Sequence, residues 1–215
     1  MGFSLRFWIF LLLCLLEFLL LFGPAIYFKL VRKEKMYSSI ILRSFPQKRS
    51  IPSRVGDVVM GMSAGVFLSF FAQGFLYASI LAIIRIFGEN FYNTASSGSI
   101  DVVPVTLSVS ESIVTILINF VIIGVCEEYF FRGVLFLELK KVLGKWSYPI
   151  NGLIFALYHV FPGIVPIQTT ITYFFYYYIL GILLCLLVKS QNNDLLSNMI
   201  AHGMFNSIPI LLSFF

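Results

Sequence analysis

Residues Gly124–Phe136 read GVCEEYFFRGVLF. Two glutamates and an arginine lie inside a run otherwise apolar enough to sit in lipid. A charged side chain at mid-bilayer costs at least ~2.5–3.5 kcal/mol on insertion scales. Whether this run is a membrane helix decides the fold, and the rest of the chain answers. Of its 215 residues, 59% are hydrophobic and 12% charged. A soluble domain carries roughly twice that charge. The mean hydropathy of +0.93 describes more apolar surface than a soluble core can absorb. The chain reads as a multi-pass membrane protein of class all-α.

A spanning helix needs ~20 apolar residues, and about six candidates appear: 7–30, 58–87, 108–137, 147–161, 168–188 and 195–214. The third carries the opening motif. The fourth is short and ends at FPG (Phe161–Gly163), and the fifth holds the aromatic block YFFYYY (Tyr173–Tyr178). The expected architecture is a polytopic helix bundle forming one compact domain. Residues 1–107 supply N-terminal membrane helices and a basic loop; residues 108–215 supply the core that carries the polar motifs.

The net charge of +5 does not point to nucleic acid. Most basic residues fall in short loops. Lys29, Arg32, Lys33, Lys35, Arg43, Lys48, Arg49 and Arg54 follow the first span. Lys140, Lys141 and Lys145 follow the third, and Lys189 the fifth. The positive-inside rule makes these loops cytoplasmic and turns both termini outward. Residues 36–54 are basic and partly amphipathic, and read either as a segment on the anionic inner leaflet or as a solvated loop. The first apolar run is long, and no small-x-small cleavage site follows Gly23-Pro24-Ala25, so it reads as a retained helix. Cys14, Cys126 and Cys185 all lie in apolar segments and read as packing residues.

Both histidines, His159 and His202, fall in predicted spans. His202 and Asn206 are i and i+4, on one face. Counted from the basic end at ~1.5 Å per residue, Glu127 lies about 15 Å deep, His159 about 18 Å and His202 about 11 Å. Within the uncertainty of the helix ends, three helices present polar groups at one level. Buried ionisable groups face each other or a wet cavity, so a single site is expected. Glu17 stays unexplained, and Gln73 and Asn119 read as cross-links between helices.

A carboxylate and imidazole facing a wet cavity can take a proton from water. A second imidazole and an amide can hold the oxyanion formed when water attacks a peptide carbonyl. No Ser–His–Asp arrangement is visible. Cys126 lies about 100° round the helix from Glu127, and nothing nearby activates it. Two histidines and a glutamate could ligate zinc, but no HExxH spacing is present. No cofactor is expected. The four-residue step from Glu128 to Arg132 stacks that pair on one face, whereas Glu127 and Arg132 are about 140° apart. Arg132 is therefore expected to hold Glu128, leaving Glu127 as the working base.

At these residues the chain resembles the CPBP family, the CAAX proteases and bacteriocin-processing enzymes also called Abi. EEYFFRG (Glu127–Gly133) matches its EExxxR motif, FALYH (Phe155–His159) its FxxxH motif and HGMFN (His202–Asn206) its HxxxN/D motif. Gly181 in YYILGILL resembles a glycine common before the last motif. The resemblance covers about 108–214. It implies an intramembrane endopeptidase in a bacterial cell membrane, with a glutamate-activated water and a site of Glu127, Glu128, Arg132, His159, His202 and Asn206. It implies a peptide or membrane-protein substrate and no metal. The chain is shorter than CAAX-type members, which argues against a prenyl-protein substrate. Some members act without proteolysis, so a non-catalytic partner of another membrane protein, such as a bacteriocin immunity factor, is the alternative. A transporter lacks support, because no inverted repeat appears.

Overall fold

The computed structural model describes residues 5–98 and 107–214. The described residues form helices α1 (Leu5–Val31), α2 (Met36–Ser44), α3 (Ile51–Phe87) and α4 (Glu89–Ser97), then α5, continuous over 109–143, followed by α6 (Ser147–His159), α7 (Ile167–Ser190) and α8 (Leu196–Leu212). The protein is an all-α, multi-pass membrane bundle. Four stretches are long and apolar enough to cross a membrane: Phe10–Val31, Ile51–Phe87, Val109–His159 and Ile167–Ser190. The sequence reading counted six. The difference lies in α6 and α8, which have 13 and 17 residues. The helical stretch Val109–His159 contains both α5 and α6. A tight turn at Gly144–Trp146 joins them, with Gly144 at φ +53°. A left-handed φ suits glycine, and α6 folds back onto the middle of α5.

Helix α3 begins seven residues before its apolar run. Ser50 caps it by accepting from the Ser53 N–H at 3.4 Å, with Pro52 in the first turn. Hydropathy located the span, but the cap sets the helix end. At 37 residues the helix is about 55 Å long, well beyond the ~30 Å hydrocarbon core. Its N-terminal turns carry Arg54 and Asp57. There Arg54 pairs with Asp194 at 2.8 Å, Arg49 pairs with Asp57, and Ser197 Oγ donates to the Asp57 carbonyl at 2.9 Å. The Arg54 and Ser197 bonds tie α3 to the start of α8. Farther in, Gly61 and Gly65 let α8 lie directly on α3. A Cβ on Gly61 would sit 2.7 Å from the Ser197 carbonyl oxygen. Such small-xxx-small spacing permits close helix contact where lipid offers no hydrophobic drive.

Helix α2 forms inside the basic segment 36–54. It packs on α1 and α5 with Ser39 and Ser44 buried, while Tyr37, Ile41 and Leu42 stay exposed. Glu138 on α5 gathers Arg32 at 3.2 Å, Arg43 at 3.1 Å and Lys141 at 2.9 Å, joining α1, α2 and α5 at the same end. The polar α4, which hydropathy passed over, is held by α7: Thr169 Oγ1 donates to the Ala95 carbonyl at 2.8 Å. The three cysteines are free and buried. Asn119 donates to Ser207 at 3.4 Å and links α5 to α8, as expected. Gln73 is exposed and makes no hydrogen bond among the described residues, contrary to the reading of it as a cross-link.

Candidate active site

Helix α5 is not uniformly α-helical. Gly124–Glu128 is α, flanked by π-helical turns at Asn119–Ile123 and Tyr129–Phe136. Such turns recur at functional sites because they re-aim side chains and leave backbone groups needing partners. Asn151 of α6 supplies one, donating to the Phe131 carbonyl at 2.7 Å. Its own oxygen accepts from the Cys185 thiol at 3.1 Å.

Glu128 and Arg132 are both fully buried. Arg132 Nη1 lies 2.9 Å from Glu128 Oε1, and Nη2 donates to the Gly181 carbonyl of α7 at 3.4 Å. The guanidinium also stands 4.3 Å from the centre of the Phe155 ring, where a cation–π contact favours it. Glu128 takes two further hydrogen bonds from α8. His202 Nδ1 is 2.7 Å from Oε1, and Asn198 Nδ2 is 3.1 Å from Oε2. Asn198 donates as well to the Leu184 carbonyl of α7 at 2.8 Å. One carboxylate thus gathers an arginine, an imidazole and an amide.

Glu127 lies between the two imidazoles. Its Oε2 is 3.8 Å from His202 Nε2 and 3.9 Å from His159 Nε2. The ring orientations have local causes. His159 Nδ1 is 2.9 Å from the Phe155 carbonyl, and the ring stacks on Tyr177 at 4.3 Å. A carbonyl only accepts, so His159 Nδ1 carries a proton. A carboxylate paired with an arginine also only accepts, which puts a proton on His202 Nδ1. In the neutral rings both Nε2 lone pairs are then turned toward Glu127. The 3.8–3.9 Å separations are too long for direct hydrogen bonds. A gap of that length is bridged by one water oxygen about 2.8 Å from the carboxylate and from an imidazole.

Five of the six residues singled out from the sequence therefore lie together: Glu127, Glu128, Arg132, His159 and His202. Asn206, one turn beyond His202, is half-buried and makes no hydrogen bond among the described residues. The asparagine in contact with the cluster is Asn198, one turn on the other side of His202. Its signal was present in NMIAH (Asn198–His202), where the two are i and i+4 on the face of α8 that His202 uses. Helix α7 was missed as a contributor, although it supplies Tyr177 and the carbonyls of Gly181 and Leu184. Gly181 is needed there, since a Cβ would sit 2.8 Å from the Gly152 Cα of α6. No group of three or more histidine, cysteine or acidic side chains is arranged to hold a metal ion among the described residues.

Residues 109–208 match the family described as type II CAAX prenyl endopeptidase Rce1-like. No curated protein and no solved structure matches the chain.

Proposed function

Residues 109–208 place this chain in the CPBP family, and from that premise we propose that it is an intramembrane endopeptidase in which Glu127 activates water. The observation that carries the reading is the position of Glu127 Oε2, 3.8 and 3.9 Å from the Nε2 atoms of two imidazoles whose Nδ1 atoms are held from behind. A water among these atoms hydrogen-bonds to the carboxylate and to an imidazole at once. Glu127 takes a proton as the water oxygen attacks a peptide carbonyl. The Glu128 carboxylate behind His202 neutralises the charge of an imidazolium when one forms, as the buried acid of a Ser–His–Asp triad does. Glu127 hands that proton on to His202 Nε2, and the resulting Nε2–H donates to the oxyanion and passes the proton to the leaving amine. His159, fixed by the Phe155 carbonyl and Tyr177, orients the water from the other side. Asn206 is the amide one turn along from His202 and serves the oxyanion when substrate is bound.

The chemistry needs no metal, and the substrate is a peptide or membrane protein. The chain sits in a bacterial cytoplasmic membrane with its basic loops inside. The test uses purified protein in nanodiscs with a panel of single-span peptides. Glu127→Gln is expected to stay folded and inserted and to lose cleavage by at least a hundredfold, the low end for a general base. Stringent chelation leaves the wild-type rate unchanged. Normal cleavage by Glu127→Gln sinks the assignment, and loss on chelation with recovery on zinc replaces it with a metal mechanism.

A further inference from the structure

Glu17 lies on α1, outside the segment that matches the family, and the water-activating set does not use it. An acidic residue in the middle of a membrane helix carries an insertion cost, so its retention calls for a partner or a task. Counted from the basic end of α1 it lies about 21 Å deep, near the level of Glu127 and His159. Its Oε1 accepts a hydrogen bond from the Tyr158 hydroxyl at 2.9 Å. Tyr158 immediately precedes His159, and their rings meet edge to face at 5.2 Å. Yet Tyr158 is 44% exposed, within a stretch apolar enough to cross a membrane. One residue therefore touches the candidate site and the bilayer together.

The surroundings are open and apolar. Tyr158 lines a cavity of about 340 Å³ with Phe130, Phe131, Ile154, Leu157 and Phe161. Phe130 is shared with a second groove of about 540 Å³, between α1 and α5, which runs toward Arg32 and Glu138 at the basic end. The two grooves share Phe130, and Tyr158, the partner of Glu17, lines the smaller one. Open apolar grooves thus lie along α1 and beside Tyr158, next to the candidate site.

We propose that Glu17 and Tyr158 are the docking pair for an unwound stretch of substrate backbone that reaches the site from the bilayer between α1 and α6. This rests on the peptidase reading and names how its substrate is recognised. In hydrocarbon an unsatisfied polar group is costly, so the carboxyl and the hydroxyl bond to each other while no substrate is present. An extended peptide unit carries one free N–H and one free C=O. The carboxyl oxygen accepts the N–H, and the tyrosine hydroxyl donates to the C=O. Both partners are replaced in kind, and no polar group is stranded. Lipid tails supply neither group, and a helical span has already satisfied both internally. The pair therefore selects peptide over lipid, and an unwound segment over a helix.

The experiment measures binding, not cleavage. Two fluorescent single-span peptides differ only at their centre, Gly-Pro in one and Leu-Leu in the other. Their Kd values are measured on Glu127→Gln protein in nanodiscs, and wild-type cleavage is followed separately. The Gly-Pro peptide is expected to bind about tenfold tighter, the scale of one hydrogen bond to a charged group. Adding Glu17→Gln or Tyr158→Phe should shrink that preference to about twofold or less. A general loss of packing would weaken both peptides alike and leave the ratio standing, which overturns the proposal. So does the absence of binding or of preference in the parent. A benzophenone side chain at Leu13, one turn from Glu17 on an exposed face, should cross-link the Gly-Pro peptide in otherwise unaltered protein; no cross-link there also overturns it. Preference without wild-type cleavage removes the peptidase reading and keeps the docking pair. Cleavage with an unchanged ratio in Glu17→Gln does the reverse.

Discussion

Removing one partner of the Glu128–Arg132 pair should destabilise the protein far more than replacing both. Each side chain is fully buried, and the pair is 2.9 Å apart. Truncating one member of a buried pair strands the other and typically costs about 3–5 kcal/mol. Glu128→Gln keeps the shape but loses the charge. Its single remaining acceptor oxygen cannot serve Arg132, His202 and Asn198 together, so an N–H must also face a donor. Arg132→Met leaves the Glu128 charge with only the His202 and Asn198 bonds. In Glu128→Gln with Arg132→Met, the amide oxygen still accepts from His202 Nδ1, and Asn198 keeps the Leu184 carbonyl. The remaining loss is about 1–3 kcal/mol, the penalty for one polar group left short. Graded SDS unfolding of the three variants gives each value. A double variant that costs the sum of the two singles, or singles within about 1 kcal/mol of wild type, would show that the pair is not the electrostatic centre described above.

Two further outcomes follow from the same contacts. Asn198→Ala should lower stability by about 1–3 kcal/mol, because it takes a donor from Glu128 and from the Leu184 carbonyl, while Asn206→Ala should stay within about 0.5 kcal/mol; equal losses for the two in SDS unfolding would contradict the placement of Asn198 in the cluster. A cysteine at position 48 on a cysteine-free background should react with a membrane-impermeant maleimide only after the cells are opened, and labelling of intact cells would reverse the orientation.

Sequence reasoning reached most of this site because lipid makes polar residues conspicuous. Glu127, Glu128, Arg132, His159 and His202 stood out as ionisable groups at one depth, and the four-residue step from Glu128 to Arg132 gave the pair directly. Asn198 was as visible as Asn206 but sits on the opposite side of His202 from the motif spacing, so the resemblance, which names Asn206, did not draw attention to it. The contribution of α7 was not legible, because it consists of two backbone carbonyls and a ring face that any apolar helix could offer. The π-helical turns of α5 were also hidden, since i to i+5 bonding leaves no mark on composition. Hydropathy located the long spans, counted the shorter α6 and α8 among them, and missed what lay outside: the Ser50 cap, the polar α4 and the ion pairs that fasten the start of α8.

The i, i+4 placement of Glu128 and Arg132 also bears on how the charges enter the membrane at all. Two independent charges near the centre of a helix would cost about 5–7 kcal/mol on insertion scales. His202 and Asn198 reside on α8, synthesised some 70 residues after Glu128, so they cannot offset that cost when α5 first meets the bilayer. Arg132 can, because it lies on the same helix one turn away and pairs without any tertiary structure. We infer that α5 inserts as a locally neutralised helix and that α8 later adds the His202 and Asn198 bonds. The measurable consequence concerns residues 109–143 as an isolated segment in a translocon insertion assay. With the pair intact, the apparent insertion cost should fall clearly below the summed costs of Glu128 alone, in Arg132→Met, and Arg132 alone, in Glu128→Met. Moving the arginine to position 130, two residues from Glu128 and on another face, should restore the full sum. If the native and shifted arrangements insert equally well, the pair is not formed at that stage, and α5 must be assembled with α8 before its charges can be buried.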